Sequence, residues 1–395
     1  MAKENIIPIG PFHPLLEEPE FFKFYVEGET VIDADVRVGY NHRGVEKLLE
    51  SKTYDQGVFL VERICGICST SHPFAFTQAV EDISGIEVPE RAKYIRMIIG
   101  ELERIHSHLL WVGLAGHFIG YNTVFMWAWK YREPVLDMFE AISGNRNHYN
   151  MFKVGGVRRD IKDDDVPGLL KAIDEVEKFT SMLAKSVSED PIIQARTKNI
   201  GTLKKQDAID LGVVGPVARG SGLAIDNRKD FPYANYREVE FEKIVLEQGD
   251  VYSRAVVRLL EIIESVKIIR QSLKKLSAGP IETEVREIGI GEGIGLHEAP
   301  RGEVFHYSRS NGSNYPERHK IRAPSFMNVP SFKKTVIGQK ISDAALITAA
   351  VDPCYCCTER MAAIDPQNNK TLLTGEELVR LSQERTEEIR RKIRS

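Results

Sequence analysis

Apolar side chains recur every three to four residues over two long stretches of the chain, residues 91–184 and 240–276. This spacing places them on one face of a helix and predicts long, packed helices. The clearest stripe lies near the start of the first stretch, at Ile95, Ile98, Ile99, Leu102 and Ile105. The pattern therefore predicts a core made of a long-helix bundle.

The first sixty residues have a different pattern. Residues 21–26 and 30–39 are short β-rich runs joined by a turn at Gly28, which predicts a small sheet. Residues 200–232 and 278–330 are rich in Gly, Pro and Asn and are expected to be ordered loops between helices. The predicted class is α+β, predominantly α, with an N-terminal β lobe at 1–60, a helical bundle at 61–357 and a helical tail at 358–395.

Residues 109–129 contain no charged side chain, a length close to the ~20 apolar residues that cross a bilayer. We interpret the segment as a buried helix because it contains His117 and Asn122, and because Gly113, Gly116 and Gly120 are spaced as expected where another helix approaches closely. The charged flanks and the lack of a second such stretch also argue against a membrane span.

Composition narrows the functional classes. The 395 residues include 42% hydrophobic and 28% charged residues and carry a net charge of −4. This balance suits a large globular core and disfavours nucleic acid as a partner, since phosphate binding needs a concentrated basic face. Five cysteines are too few for a disulfide-stapled domain, and the N-terminus resembles no signal sequence, so a reducing cytoplasmic setting is expected.

Four of the cysteines form two Cys-x-x-Cys pairs near opposite ends of the chain, Cys65 with Cys68 and Cys354 with Cys357. Thiolates select soft or borderline metals, and this spacing lets both sulfurs of a pair face one ion. A zinc ribbon would need its two pairs close together in sequence. One closed metal site built from two distant segments is therefore the favoured hypothesis.

The residues that flank both pairs carry a family resemblance. Arg-Ile-Cys-Gly-Ile-Cys at 63–68 with His72, and Asp-Pro-Cys-Tyr-Cys-Cys at 352–357 with Arg360, resemble the two signature motifs of the nickel-iron hydrogenase large subunit. Further segments resemble its energy-converting, membrane-bound branch, which is related to the quinone-site subunit of complex I. These segments lie at residues 10–14, 42–47, 155–160, 215–220 and 298–302.

The resemblance implies a hydrogenase large-subunit fold and a nickel-iron centre whose iron carries carbon monoxide and cyanide. It implies Cys65 and Cys354 as terminal nickel ligands and Cys68 and Cys357 as bridging ligands. Cys354 is also implied as the first proton acceptor. Cys356 departs from the family pattern, where a hydroxyl or small residue is common, and no role is assigned to it.

Other implied site residues lie outside the cysteine pairs. Arg301 is expected to point its donors over the metals or toward Asp352. Pro300 and Asp352 are expected, with His72, to be cofactor-binding residues. His72 is expected to hydrogen-bond a coordinated sulfur. Either Glu17 or Glu18 matches the family's proton-transfer glutamate, and Glu18 is favoured.

The implied activity is reversible reduction of protons to hydrogen with electrons from ferredoxin, coupled to ion translocation. The chain has no cysteines left for an iron-sulfur cluster, so a small subunit with a 4Fe-4S cluster, a ferredoxin-like cluster subunit and membrane ion-translocating subunits are expected partners. Contacts with the membrane subunits are expected at residues 42–47 and 155–160. The chain itself is expected to be peripheral, on the cytoplasmic face of the membrane. Two alternatives stay open, a complex I-like quinone or sulfur-compound reductase and a scaffold subunit holding structural zinc.

Overall fold

The computed structural model of the protein describes residues 5–13, 16, 18–358, 363–364, 371–373 and 375–394. Glu17 and Arg360 lie outside these residues. Long helices dominate, as the periodicity predicts. In the described residues the helices are α1 (Val45–Leu49), α2 (Tyr54–Glu62), α3 (Ser71–Ser84), α4 (Glu90–Phe118), α5 (Asn122–Ser143), α6 (Val166–Glu189), α7 (Pro191–Thr197), α8 (Lys205–Asp210), α9 (Gly215–Arg219), α10 (Asn227–Asp230), α11 (Val251–Lys274), α12 (Pro324–Asn328), α13 (Ser331–Val336), α14 (Ile341–Ala350) and α15 (Gly375–Arg394).

The strands form small antiparallel sheets around the helices. Strands β1 (Asn5–Ile9), β2 (Phe21–Glu27) and β3 (Thr30–Arg37) form the N-terminal sheet in that order. The sequence predicted β2 and β3 but not β1. Two short pairs are β4 (Phe152–Lys153) with β5 (Gly156–Val157), and β9 (Ala363–Ile364) with β10 (Thr371–Leu373). The third sheet contains β6 (Ile290–Ala299), β7 (Gly302–Asn311) and β8 (Arg318–Arg322).

Helix α4 is the centre of the bundle. Its predicted apolar stripe is completely buried, and α5 and α11 pack against it while α6 packs against both of them. Arg96, Glu101 and Arg104 of α4 are also buried. A helix that is buried on all sides must pair its charged side chains inside the protein, because no water is available to solvate them.

The uncharged segment 109–129 was expected to be one buried helix, but it contains the end of α4 and the start of α5. A turn at Gly120 (φ 82°) ends α4 and lets α5 fold back on it. The glycines serve the predicted close approach: a Cβ added at Gly116 would lie 2.9 Å from the Cβ of Val124. The first half of α5 is at the surface, where Met126 is 62% exposed. None of the helices in the described residues is long and apolar enough to cross a membrane.

The expectation of loops at 278–330 was also wrong in part, because this region contains β6, β7 and β8. Glycines at alternate positions of β6 hid the strand pattern. They are needed because α3 lies directly on the sheet: a Cβ at Gly293 would come within 2.1 Å of the Ala79 carbonyl oxygen, and one at Gly295 within 1.8 Å of the Ala75 carbonyl oxygen. Glycine permits this approach of helix backbone to strand.

Candidate metal centre

The two cysteine motifs meet in one buried cluster. Cys65 and Cys68 lie in the turn between α2 and α3, and the other motif follows α14. The Sγ atom of Cys65 lies 2.8 Å from that of Cys354, which lies 3.2 Å from Cys356 Sγ and 3.4 Å from Cys357 Sγ. We call these five side chains the thiol pocket. A cluster of buried sulfurs with each other as neighbours matches the donors that nickel, zinc and iron prefer and that magnesium and calcium do not.

Cys356, to which the sequence assigned no role, lies among the sulfurs of the predicted ligands. The Sγ atoms of Cys65, Cys354, Cys356 and Cys357 all lie within 4.8 Å of one another. Cys68 is not in this group. Its Sγ atom lies 3.5 Å from Nη1 of Arg301. The structure thus brings the predicted motifs together but adds the fifth cysteine to the tightest set.

Hydrogen bonds from the surrounding helices fix both cysteine turns. Glu103 of α4 accepts hydrogen bonds from the Thr70 amide and the Ser71 hydroxyl at the start of α3. Burial raises the pKa of Glu103 to about 7, against the effect of these bonds. At the other turn, the Cys354 amide donates to Oγ of Ser325 at 2.8 Å. The thiol pocket is therefore held by α4 and α12, which are remote from it in sequence.

Arg301 links the thiol pocket to Asp352. It occupies the tight turn between β6 and β7, directly after the buried Pro300, and its own side chain is 3% exposed. Its Nε atom donates to Asp352 Oδ1 at 2.9 Å and to the Asp352 carbonyl at 2.8 Å, while Nη1 donates to Ser107 Oγ at 3.2 Å. Burial lowers the pKa of Arg301, but Asp352 and the cysteines outweigh it and raise that pKa above its ordinary value. The guanidinium therefore stays charged beside the sulfurs.

Arg258 of α11 is a second cation at Asp352. Its Nε atom lies 3.4 Å from Asp352 Oδ2, and its guanidinium stacks 4.2 Å from the centre of the Trp111 ring. Two arginines thus orient one buried carboxylate immediately before the second cysteine motif. A buried carboxylate requires such pairing, because isolated burial of its charge would be strongly unfavourable.

A chain of three buried histidines starts at Cys357. Its Sγ atom lies 3.5 Å from His72 Nε2, His72 Nδ1 lies 3.1 Å from His306 Nε2, and His306 Nδ1 lies 2.9 Å from His319 Nε2. Burial lowers the pKa of His72 to about 4 and that of His319 to about 3. The three rings are therefore neutral, and each carries one proton. If His72 donates from Nε2 to Cys357, its Nδ1 atom must accept from His306 Nε2, and His306 Nδ1 must accept from His319 Nε2.

The N-terminal segment supplies two glutamates with different environments. Glu18 Oε2 accepts a hydrogen bond of 2.8 Å from the Cys356 amide, which places its carboxylate at the second cysteine motif. Glu20 is completely buried, and neither carboxylate oxygen has a hydrogen-bond partner in the described part of the chain. Burial, with a smaller contribution from Glu18, raises the pKa of Glu20 to about 9. Glu20 is therefore a neutral acid at pH 7.

The segment 42–47, expected to face membrane subunits, also has internal contacts. Arg43 donates from Nη1 to the Arg63 carbonyl at 3.0 Å and from Nη2 to the Ile64 carbonyl at 2.8 Å and the Cys356 carbonyl at 3.4 Å. It therefore ties the two cysteine turns together. The segment 155–160 is anchored as well, through Gly155 to Glu81 and Asp160 to Arg91.

A separate group of buried charges lies between α4, α9, α10, α11 and β6. Neighbouring members are joined by ion pairs of 2.6 Å (Arg219 with Glu261), 2.7 Å (Arg219 with Glu298) and 3.1 Å (Arg228 with Glu101). We call this group the ion-pair cluster. Its members are Glu101, Arg104, Arg219, Asp226, Arg228, Glu261 and Glu298.

Sequence reasoning missed His306, His319, Arg258 and Ser325. None of them lies in a motif, and each reaches the site only because β7, β8, α11 or α12 packs beside it. No local signal distinguishes them from ordinary polar residues of a strand or helix. His72, Arg301, Asp352 and Glu18 were named from the sequence, and the structure places all four at the thiol pocket.

Comparisons with known proteins cover almost the whole chain. The family "Respiratory-chain NADH dehydrogenase, 49 Kd subunit" matches residues 119–292 and 286–360, and "Nickel-dependent hydrogenase" matches residues 43–113. The membrane-bound hydrogenase subunit alpha of Pyrococcus furiosus is 42% identical over 97% of this chain and 93% of its own length. The carbon monoxide-induced hydrogenase of Rhodospirillum rubrum is 41% identical over 90% of this chain and 99% of its own.

Relatives outside the hydrogenases match as well. An NADH-quinone oxidoreductase subunit of Clostridium beijerinckii is 36% identical over 89% of this chain and 96% of its own length. A solved structure of the membrane-bound sulfane sulfur reductase, an archaeal respiratory membrane complex, contains a chain with a TM-score of 0.86 and 30% identity. The match covers 91% of this chain and 98% of that one.

Proposed function

Since the chain belongs to the energy-converting, membrane-bound branch of nickel-iron hydrogenase large subunits, related to complex I, we propose that it is the catalytic subunit of such a hydrogenase. The proposed reaction is reversible reduction of protons to hydrogen with electrons from ferredoxin, coupled to ion translocation. The observation that carries the proposal is the convergence of both Cys-x-x-Cys motifs on one buried site beside Arg301 and Asp352.

The donor set fits a nickel-iron centre. In the proposal Cys65, Cys68, Cys354 and Cys357 would hold the centre through their sulfurs, and the Arg301 guanidinium would lie beside it. When bound, the centre supplies a Lewis-acidic metal pair at which hydrogen is formed or split. Soft thiolates suit nickel in the low oxidation states that this chemistry requires.

The chain's own residues hold charge and move protons. Arg301 directs one donor at Cys68 and two at Asp352, so that its charge is fixed beside the sulfurs before reaction. Preorganised donors of this kind stabilise developing negative charge without rearrangement. In the proposal a proton on the Cys354 sulfur passes to the carboxylate of Glu18, which already contacts the amide of Cys356. His72 steadies Cys357 by donating from Nε2.

Electrons must enter from partner subunits under this proposal. All five cysteines of the chain lie in the thiol pocket, so the nearest cluster is assigned to a small subunit with a 4Fe-4S centre. A ferredoxin-like cluster subunit and membrane ion-translocating subunits complete the proposed assembly. The chain would be its peripheral subunit on the cytoplasmic face of the membrane.

A second candidate is a complex I-like reductase of quinone or sulfur compounds. The relatedness of the chain to an NADH-quinone oxidoreductase subunit and to a chain of the sulfane sulfur reductase favours it. The two candidates differ in what the thiol pocket holds, because only the hydrogenase requires a nickel-iron centre with diatomic ligands.

The test is metal analysis of the purified complex together with infrared spectroscopy of bound carbon monoxide and cyanide. Nickel and iron in equal amounts with these bands, and hydrogen evolution from reduced ferredoxin, are expected. Zinc alone, or an intact complex without the bands, would contradict the proposal. Quinone or sulfur reduction by that same complex would support the second candidate.

A further inference from the structure

We propose that Cys65, Cys354, Cys356 and Cys357 form a single-ion site, separate in its ligand set from the nickel-iron site but overlapping it, which takes one tetrahedral borderline metal ion such as Zn²⁺. The proposal concerns the chain without its nickel-iron centre and does not rest on hydrogenase activity. It gives Cys356 a role that the Cys-x-x-Cys motifs do not provide.

The sulfur geometry supports this set of four. Metal–sulfur bonds of about 2.3 Å in a tetrahedron place the sulfurs about 3.8 Å apart. In the structure the four Sγ atoms all lie within 4.8 Å of one another, and three of the pairs are 2.8, 3.2 and 3.4 Å apart. Small outward shifts of the side chains would therefore enclose one ion.

The backbone around Cys356 holds its sulfur inside the pocket. Its amide donates to Glu18 Oε2 at 2.8 Å, and its carbonyl accepts from Arg43 Nη2 at 3.4 Å. The side chain is only 8% exposed. Cys356 is therefore fixed by contacts on both sides of its peptide and is buried against Cys354, as a metal ligand would be.

Cys68 interacts with Cys65 and Cys354 but also has a cation beside it. Its sulfur faces Arg301, which is in turn fixed by Asp352 and Ser107. A guanidinium 3.5 Å from a sulfur occupies one side of it. The same pocket thus offers two ligand sets that share Cys65, Cys354 and Cys357 and differ in Cys68 or Cys356.

The two sets cannot be filled together, because they share three sulfurs. Four thiolates around one ion leave no open position, so the single-ion form is a closed site that does no chemistry. Coordination displaces the remaining thiol protons and shields the sulfurs from oxidation. The single-ion site is therefore a holding state, which must release Cys356 and recruit Cys68 before two metals can bind.

The experiment is a titration of the full chain, prepared free of metal under reducing conditions, with Co²⁺ as an optical probe for the zinc site. Charge-transfer bands from sulfur to cobalt report the thiolates, and competition with Zn²⁺ gives its relative affinity. The wild-type chain is expected to bind one ion with the spectrum of a tetrahedral four-thiolate site. Cys356→Ser removes a direct ligand. It should weaken binding by at least about 10- to 100-fold, which is the loss typical when only an outer-shell partner of a ligand is removed.

Cys68→Ser is the matched control, because it removes a neighbouring buried thiol from the other motif. It should leave the cobalt spectrum and affinity nearly unchanged. The proposal would be overturned if Cys68→Ser weakened binding more than Cys356→Ser, or if both variants weakened it equally. It would also be overturned if the wild-type chain bound no stoichiometric ion.

A second measurement needs no variant. Zn²⁺ should protect Cys356 of the wild-type chain from alkylation in a mass-spectrometric assay and leave Cys68 the most reactive cysteine. Protection of Cys68 in place of Cys356 would also overturn the proposal. Neither result depends on hydrogen turnover, so failure of the hydrogenase assignment and failure of the single-ion site are distinguishable.

Discussion

The thiol pocket and the ion-pair cluster are both buried and polar, yet only one of them is complete in the protein alone. In the ion-pair cluster, each carboxylate faces an arginine, as Glu101 faces Arg104 and Arg228. In the thiol pocket the sulfurs have mainly one another for neighbours. This difference indicates that the ion-pair cluster is part of the scaffold and that the thiol pocket is a binding site. Buried polar groups without complementary protein partners are expected where another group binds.

The largest effect should follow loss of a shared sulfur. Cys65→Ser keeps the size of the side chain but removes a soft ligand from the metal centre. We expect nickel, the infrared bands and hydrogen evolution all to fall to background in the purified complex, with an unchanged circular dichroism spectrum of the metal-free chain. Retention of nickel and activity would contradict the ligand assignment.

The ion-pair cluster should respond in stability. Glu101→Gln leaves the buried Arg104 without its ion-pair partner and leaves Arg228 with Asp226 alone. Breaking a buried ion pair by removing one partner destabilises proteins by about 3–5 kcal/mol. The midpoint of denaturant unfolding should fall accordingly. The matched control is Glu284→Gln, which removes the partner of Arg286 in a pair whose side chains are 76% and 83% exposed. It should change stability by less than about 1 kcal/mol.

Arg301 lies in the thiol pocket but is paired like a member of the ion-pair cluster. Arg301→Lys keeps the charge and loses the planar fork that contacts both Asp352 and Cys68. We expect hydrogen evolution to fall about 100-fold, as for loss of a preorganised donor at a reaction centre. The nickel content of the same preparation is the control, because a fall in activity that only followed metal loss would indicate a structural role.

Two fully buried glutamates provide a test of the comparison by pH. The pKa of Glu101 is held low by Arg104 and Arg228 despite burial, so its stabilising contribution is present above pH 4.5 and is lost in acid. The pKa of Glu20 is raised from 4.5 to about 9. Its contribution is therefore most favourable below pH 4.5 and is lost as pH rises toward 9.

Glu20→Gln should consequently stabilise the chain at pH 7 by about 3 kcal/mol and have little effect at about pH 4. Unfolding midpoints at the two pH values measure this difference. If Glu20→Gln changed stability equally at the two pH values, Glu20 would either be ionised in the folded chain or have a charged partner in the assembled protein.

The smallest effect concerns the histidine chain. His306→Leu removes the donor to His72 Nδ1, which frees His72 to turn its proton away from Cys357. About a tenfold loss of activity is expected, since outer-shell partners of a metal ligand typically contribute roughly 10- to 100-fold. His306→Gln keeps a donor and an acceptor and should restore both activity and the position of the infrared bands, which a purely structural role would not predict.

The sequence by itself determined the elements and the chemistry that local patterns encode. The stripe from Ile95 to Ile105 predicted α4 because a helix repeats about every 3.6 residues, and residues 21–26 and 30–39 predicted β2 and β3. The two cysteine motifs, with His72 and Asp352 beside them, predicted a thiolate metal site, and the resemblance to nickel-iron hydrogenases added Arg301 and Glu18. Each of these signals is contained in a short segment of chain.

Only the tertiary structure decided which distant groups meet. The strand β6 was hidden because its glycines satisfy the close approach of α3, a constraint that comes from packing and leaves no alternating pattern. His306, His319 and Arg258 reach the site through the sheet and α11, so no spacing could reveal them. Cys356 meets the sulfurs of both motifs, and Cys68 meets Arg301, through contacts between segments that are far apart in the sequence.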